Sequence, residues 1–429
     1  MSSRWTEADA ERYLLSLELF GMRFGLERMR RLMTALGHPE RRFQSIHVVG
    51  TNGKSSTARM VAAILERHGL RTGAYVSPHL VSFCERIRIE DRDLDGTAFA
   101  AAVQRAARAA EMVDRTLGED DRVTQFEALT AAAYSELARR EVDVAVVEAG
   151  LGGRHDATSV IPSRVQVLTN VGLEHQRWLG PTIGDIAREK LAVVPEGGTL
   201  VTGRLDPEAE EEAQAVAAGR GARLIHAAED PGVPLAALGD YQRRNFALAR
   251  VAAEAYLDGL DESAVRAAAG EVLVPGRFEQ VGEDPLVLVD GAHNPSGMRA
   301  LADSLVTFLA GRRLCAVVSI LDDKDAAAML ASLLPVCESV IFTSSGHPRA
   351  LPPATLESLA GQLGGPGCRG GQPGGPGTLV ERDPRAALAR ARELAAAAPG
   401  PGGVVLATGS IYLVAHLLRE SASSQASML

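Results

Sequence analysis

The chain is 429 residues long, enough for two domains with cores of their own. With 45 Lys and Arg against 54 Asp and Glu, its formal charge of −9 speaks against a broad nucleic-acid or anionic-membrane surface. No run of about 18 apolar residues offers a membrane-spanning helix, and Met1-Ser2-Ser3-Arg4-Trp5-Thr6-Glu7 lacks the apolar stretch of a secretory signal. Cys84, Cys315, Cys337 and Cys368 are scattered without a CxxC pair, so neither a disulfide framework nor a zinc site is expected. The expectation is a cytoplasmic, monomeric enzyme with no nucleic-acid and no membrane partner.

Short β-branched runs alternate with alanine-rich helical stretches. Ser45–Val49 reads as a buried strand and Thr57–His68 as the helix after it. Phe126–Arg140 is a second helix, followed by strands at Val142–Val147 and Val165–Thr169 and a helix at Ile183–Val193. A new series of strands begins at Leu286–Val289 and continues at Cys315–Val318, Ser339–Phe342 and Val404–Ala407, with a helix at Ala386–Ala397. This alternation predicts an α/β protein with two doubly wound, parallel sheets. Pro and Gly interrupt an apolar stretch at Val274-Pro275-Gly276, which sets the expected domains at 1–275 and 276–429. Gly364–Gly377 reads as a flexible surface loop and Ser421–Leu429 as a frayed tail.

Val48-Val49-Gly50-Thr51-Asn52-Gly53-Lys54-Ser55-Ser56 carries the strongest chemical signal. A strand, a Gly-bearing turn and Lys-Ser opening a helix suit a nucleotide phosphate: backbone N–H groups face the anion and Lys54 adds a point charge. Val48 stands where the usual phosphate loop has its first Gly, so the motif is a shortened variant. The bland alternative is a Gly turn capping a helix. Ser77-Pro78-His79-Leu80, Glu148 and Glu174-His175 each end a strand, where open α/β sheets bind ligands. Taken together with Lys54 they suit Mg²⁺ held against a triphosphate; taken singly they read equally well as caps and turns. Arg188-Glu189-Lys190 by itself reads as a solvated helix face. In the second domain, Asp290-Gly291-Ala292-His293-Asn294-Pro295 ends a strand, and Arg277 follows the inter-domain link, where a guanidinium can reach a phosphate.

In this order the segments Gly50–Lys54, Ser77–Leu80, Glu148-Ala149-Gly150-Leu151-Gly152-Gly153-Arg154, Arg188–Lys190, Pro275–Arg277 and Asp290–Pro295 resemble the folylpolyglutamate synthase/dihydrofolate synthase family of the ATP-dependent Mur ligase superfamily. Tyr13-Leu14, Phe20–Arg28 and Gly409–Val414 extend the likeness over nearly the whole chain. The resemblance implies an N-terminal P-loop ATPase domain and a C-terminal Rossmann-like domain. It implies that ATP activates a carboxylate as an acyl phosphate, which the amine of L-glutamate attacks, the acid being dihydropteroate, a reduced folate, or both.

By the same resemblance Gly50, Thr51, Asn52, Gly53, Lys54 and Ser55 hold the phosphates, and Asn245, Arg277 and Asp290 contact ATP across the cleft with His293 close by. Ser77, Glu148 and His175 are the implied Mg²⁺ ligands, joined by Lys190 if it is carbamylated. Lys54, Lys190, Asp290 and His293 are the implied catalytic groups. Thr124, Gln125, Phe126, Glu127, His155, Asp156 and Ala157 are the implied pterin site. The chain departs from the family's usual pattern at Ser55, where Gly is common, at Glu174, where Asp is common, and at Tyr241, where His is frequent. The competing readings are a P-loop NTPase or phosphotransferase without ligation, a Mur-type ligase for another acid, and a non-catalytic nucleotide-binding scaffold.

Overall fold

A computed structural model describes residues 4–18, 25–118, 120–364, 377–398 and 402–419. Most of the expected Phe20–Arg28 segment up to Phe24, nearly all of the Gly364–Gly377 loop with Cys368, and the tail Ser421–Leu429 lie outside the described residues.

Among the described residues the first sheet has eight strands. In chain order they are β1 (Gln44–Val49), β2 (Thr72–Tyr75), β3 (Ile87–Ile89), β4 (Arg92–Asp93), β5 (Val144–Glu148), β6 (Val165–Leu168), β7 (Thr199–Thr202) and β8 (Arg223–His226). Their order across the sheet is β4-β3-β2-β5-β1-β6-β7-β8. From β2 to β8 every pairing is parallel, with Ile46 opposite Val146 on one side and Val165 on the other. β3 and β4 run antiparallel at the edge, an arrangement absent from the all-parallel expectation. Strand β5 shows why the centre is buried on both faces. Val144 and Val146 face the helices Lys54–Arg67 and Asp240–Leu257, while Ala145 and Val147 face Gly96–Asp114 and Gln125–Arg139. Each fully buried Val, Leu or Ile of these layers contributes about 1.5–3 kcal/mol of hydrophobic stabilisation.

The second sheet has six strands, β9 (Glu279–Glu283), β10 (Leu286–Val289), β11 (Arg313–Val318), β12 (Ser339–Phe342), β13 (Leu379–Val380) and β14 (Gly403–Thr408), in the order β13-β12-β11-β14-β10-β9. All pairings are parallel except β9 with β10. All five residues of β9 are exposed or half-exposed, so it carries no apolar pattern that a sequence reading could detect.

The chain passes from one sheet to the other through Val274–Phe278. Gly276 lies at φ +67°, and a Cβ there would stand 2.8 Å from Leu80 Cδ1, so the turn has room for glycine alone. Among the described residues no helix is long and apolar enough to cross a membrane.

Candidate active site

The loop after β1 is built for close approach. Gly50 has φ +149°, and any Cβ there would collide with Thr169 Oγ1. The residues following β6 brace the loop: Thr51 N–H donates to Asn170 O (2.9 Å), Asn52 N–H to Asn170 Oδ1 (3.0 Å), and Thr169 Oγ1 to Asn52 O (2.7 Å). Gly53, left-handed at φ +78°, heads the helix Lys54–Arg67, which has no side-chain cap. The helix therefore starts three residues before the expected Thr57, and Lys54 and Ser55 belong to its first turn. Its first N–H groups and the positive end of its dipole remain available to an anion. Lys54 Nζ, lying over the loop, donates to Thr51 O (3.1 Å).

Next to it Glu148, the last residue of β5, is almost fully buried. Its carboxylate accepts from Ser77 N–H (2.8 Å) and from Ser55 Oγ (3.0 Å), and burial raises its pKa against the opposing pull of Lys54. Lys190 Nζ, buried in the helix Ile183–Leu191, donates to Gly50 O at 2.8 Å. Burial and the charge of Lys54 lower its pKa to about 7. The solvated face expected of its segment describes Arg188, which is exposed, and not Lys190.

Past β6, His175 is left-handed at φ +53° and opens onto the cleft, yet the protein around it displaces enough water to lower its pKa to about 4. It is a neutral imidazole at pH 7. Burial raises the carboxyl of its neighbour Glu174, but the hydrogen bond and charge of His293, then the charge of Lys324, outweigh this and hold it well below the carboxylate range.

The opposite wall comes from the second sheet. Arg277 donates from Nη1 to its neighbour Gly276 O (3.0 Å), and its guanidinium crosses Gly291, where a Cβ would collide with Nη1. Asp290, at the end of β10, accepts from Phe278 N–H (2.8 Å), Ala292 N–H (2.7 Å) and Tyr241 Oη. Tyr241, standing where His is frequent, is thus a neutral donor to a buried carboxylate. His293 donates from Nδ1 to Gly291 O (2.9 Å) and places Nε2 3.5 Å from Glu174 Oε1. Asn245 packs over the phosphate loop: a Cβ on Gly53 would lie 2.5 Å from its Oδ1.

These two walls enclose a single cavity of about 1120 Å³. It is lined by Thr51, Asn52, Gly53, Lys54, Ser55, Ser77, Glu148, His175, Asn245, Arg277, Asp290 and His293, and its far end by Thr124, Phe126, Glu127, His155, Asp156 and Ala157. Three expected site residues, Gly50, Gln125 and Lys190, are not among the lining residues. Thr124 and Glu127 form a capping box on the helix Gln125–Arg139, and Glu127 also accepts from Arg28 Nε on both oxygens (3.0 Å each). Gln125 Nε2 donates to Leu14 O (2.9 Å). Phe126 forms an aromatic wall against Gly150, and Asp156 receives Leu151 N–H (2.7 Å) and Thr158 N–H (3.0 Å).

Sequence reasoning missed Lys324, which donates to Glu174 Oε1 (3.0 Å), and the role of Glu174 itself. Lys324 follows β11 at its carboxyl end, the signal that singled out the other strand-end residues. Among the described residues no three His, Cys, Asp or Glu gather as a metal cluster. The candidate ligands for a cation are therefore one carboxylate, one neutral imidazole and one hydroxyl, a set that suits Mg²⁺ shared with phosphate oxygens and water.

Residues 48–230 match the Mur ligase middle domain and residues 276–411 the Mur ligase glutamate ligase domain. The folylpolyglutamate synthase of Lacticaseibacillus casei is 37% identical over 357 residues, covering 76% of this chain and 83% of that protein. The dihydrofolate synthase/folylpolyglutamate synthase of Mycobacterium tuberculosis is 37% identical over 381 residues, covering 80% and 78%. Among solved structures, the Mycobacterium tuberculosis folylpolyglutamate synthase complexed with ADP superposes with a TM-score of 0.87 at 34% identity, over 96% of this chain and 97% of that one. Escherichia coli FolC in complex with DHPP and ADP gives 0.82 at 28% identity, over 96% and 97%.

The cleft between two α/β sheets, with a phosphate loop on one wall, is that of an ATP-dependent acid–amino-acid ligase. The chain belongs to the dihydrofolate synthase/folylpolyglutamate synthase family of Mur ligases, which adds glutamate in folate metabolism.

Proposed function

We propose that the chain joins L-glutamate to dihydropteroate, to a reduced folate, or to both, with ATP as the phosphoryl donor. Residues 1–275 hold the nucleotide and the acid, and residues 276–429 supply the glutamate side. The observation that carries this reading is the convergence of Lys54 and Glu148 from one sheet with Arg277 and His293 from the other on a single cavity.

An oxygen of the acid's carboxylate attacks the γ-phosphorus and ADP leaves, giving an acyl phosphate. The glutamate nitrogen then attacks the acyl carbon, phosphate leaves, and the nitrogen gives up a proton. The first step brings two anions together, so cations must balance them. Lys54 with the uncapped N–H groups at the start of its helix, Gly53–Ser55, holds the phosphates, Ser55 adds a hydroxyl, and Arg277 reaches them from the far wall. Asn245 contacts the nucleotide beside Gly53. Ser77, Glu148 and His175 would hold Mg²⁺, which when bound neutralises phosphate charge. Lys190 is neutral enough near pH 7 to take up CO₂ as a carbamate, whose carboxylate would hold a second ion.

His293, with Nδ1–H held by Gly291 O and Nε2 directed at Glu174, stands on the glutamate side of the cavity. Asp290 acts by fixing Arg277's link and the turn before His293. Phe126 stacks on the pterin, with Thr124, Glu127, His155, Asp156 and Ala157 around it and Gln125 anchoring the helix behind. Enclosure between the walls protects the acyl phosphate from water.

The test is glutamate-dependent ADP release by purified protein with ATP and Mg²⁺, in parallel reactions containing dihydropteroate, tetrahydrofolate or neither. Turnover that requires glutamate and one or both acids is the expected result. ADP release without an acid would replace the ligase by an NTPase.

A further inference from the structure

Two asparagines from opposite walls of the cleft grip each other. Asn52, in the phosphate loop, donates from Nδ2 to Asn294 Oδ1 (3.2 Å) and accepts at Oδ1 from Asn294 Nδ2 (2.9 Å). Asn52 Nδ2 also reaches Ser296 Oγ at 2.9 Å. The second bond of Asn294 Nδ2 goes to Glu174 Oε2 (3.0 Å), and the other oxygen of Glu174 accepts from Lys324 Nζ (3.0 Å). On its own side, Asn294 Oδ1 caps the helix Pro295–Leu309 by accepting Gly297 N–H (2.8 Å). Asn294 is 3% exposed, so none of these bonds has a ready replacement in water.

The chemistry of this residue is specific. Its carbonyl oxygen caps the second sheet's helix and also accepts from Asn52, and its amide N–H groups serve two acceptors on the first sheet's side. One acceptor belongs to the phosphate loop and the other to the turn that carries His175. The same turn that ends at Asn294 presents His293 to the cavity.

We propose that Asn294 is a positioning residue that locks the glutamate side of the cleft onto its phosphate side, so that His293 and Lys324 face the acyl phosphate only when the loop, the Glu174 turn and the second sheet are joined. This rests on the ligase reading above and adds to it the device that registers closure.

The N294D variant separates the lock from the cap. Asp caps a helix as well as Asn does, so a purely structural role predicts a protein with unchanged turnover. In the lock, N294D turns two donated hydrogen bonds into a carboxylate facing Glu174 and Asn52 Oδ1. The expected result is a kcat about 50-fold lower, with KM for ATP within about twofold and the melting temperature retained. Adding E174Q to N294D replaces the repelling carboxylate by an amide that can donate. The double variant is expected to recover to within about threefold of E174Q alone.

N294D with wild-type kcat, or a double variant as slow as N294D, would overturn the proposal. Small-angle scattering of the same four proteins with AMPPCP gives a readout independent of turnover: N294D should show a larger radius of gyration, and the double variant should recover. If wild type turns over no folate acid, the ligase reading fails while the scattering series still decides the lock. Radii that are identical across the series would sink it.

Discussion

Two turns of this molecule look alike in sequence and behave in opposite ways. Each follows a central strand, each contains a glycine and an asparagine, and each opens a long helix: Gly50–Gly53 after β1 and Asp290–Asn294 after β10. At the first, the helix starts on a left-handed glycine with no side-chain cap, so its N–H groups and dipole are open to an anion. At the second, Asn294 fills the cap and its remaining groups bind the first turn. On the proposed function, one strand-end turn receives phosphate and the other binds protein. The difference lies in whether the residue just before the helix carries a side chain.

The comparison breaks hardest at Lys54. K54A leaves the open helix end without its point charge, and kcat should fall about 1000-fold in the ADP-release assay with little change in melting temperature. G291A is the counterpart on the protein-binding turn. Gly291 has no left-handed φ, and the atom its Cβ would strike is the far end of the flexible Arg277 side chain. The fold should therefore survive while Arg277 is pushed aside, with kcat/KM about 100-fold lower and an unchanged thermal melt.

K190M sharpens the phosphate side through pH. Burial lowers Lys190 from 10.5 to about 7, so between those values the unfolded chain binds more protons and wild-type stability rises with pH. K190M has no amine to deprotonate. Its stability advantage over wild type should be largest at or below pH 7 and shrink toward pH 10, as followed by denaturant melts at each pH, and turnover should be lost. The smallest effect is expected from T124A, which removes a capping box worth about 1 kcal/mol and should lower the melting temperature by about 2 °C. An accompanying rise in KM for the acid would show that Thr124 also touches the substrate.

The phosphate loop was legible because its strand, glycines, lysine and helix are contiguous, and physics demands them in that order. The parallel centre of both sheets was legible for a similar reason: strands buried on both faces are runs of Val, Ile and Ala. The antiparallel edges were not, since β4 and β9 are short or polar and are ordered by pairing rather than by burial. Arg277 and Asp290 could be marked as candidates, but Gly291's service to Arg277 is a matter of space that no motif records. Least legible was the seam. Asn52 meets Asn294 across 242 residues and Glu174 meets Lys324 across 150, and nothing local in either segment specifies its partner.

The glycine turn after β5 has a consequence for how such a protein can change. Cβ atoms on Gly150, Gly152 and Gly153 would lie within 2.5–2.8 Å of Phe126 Cζ, Leu179 Cδ2 and the Lys190 carbonyl oxygen. Backbone closes Gly153 and a left-handed φ of +70° strains any side chain at Gly152, while Gly150 faces only the ring of Phe126, so on the proposed function the route to a new acid substrate runs through Phe126. A lineage altering its diet of substrates would keep this turn as an unvarying mould and exchange the ring pressed against it.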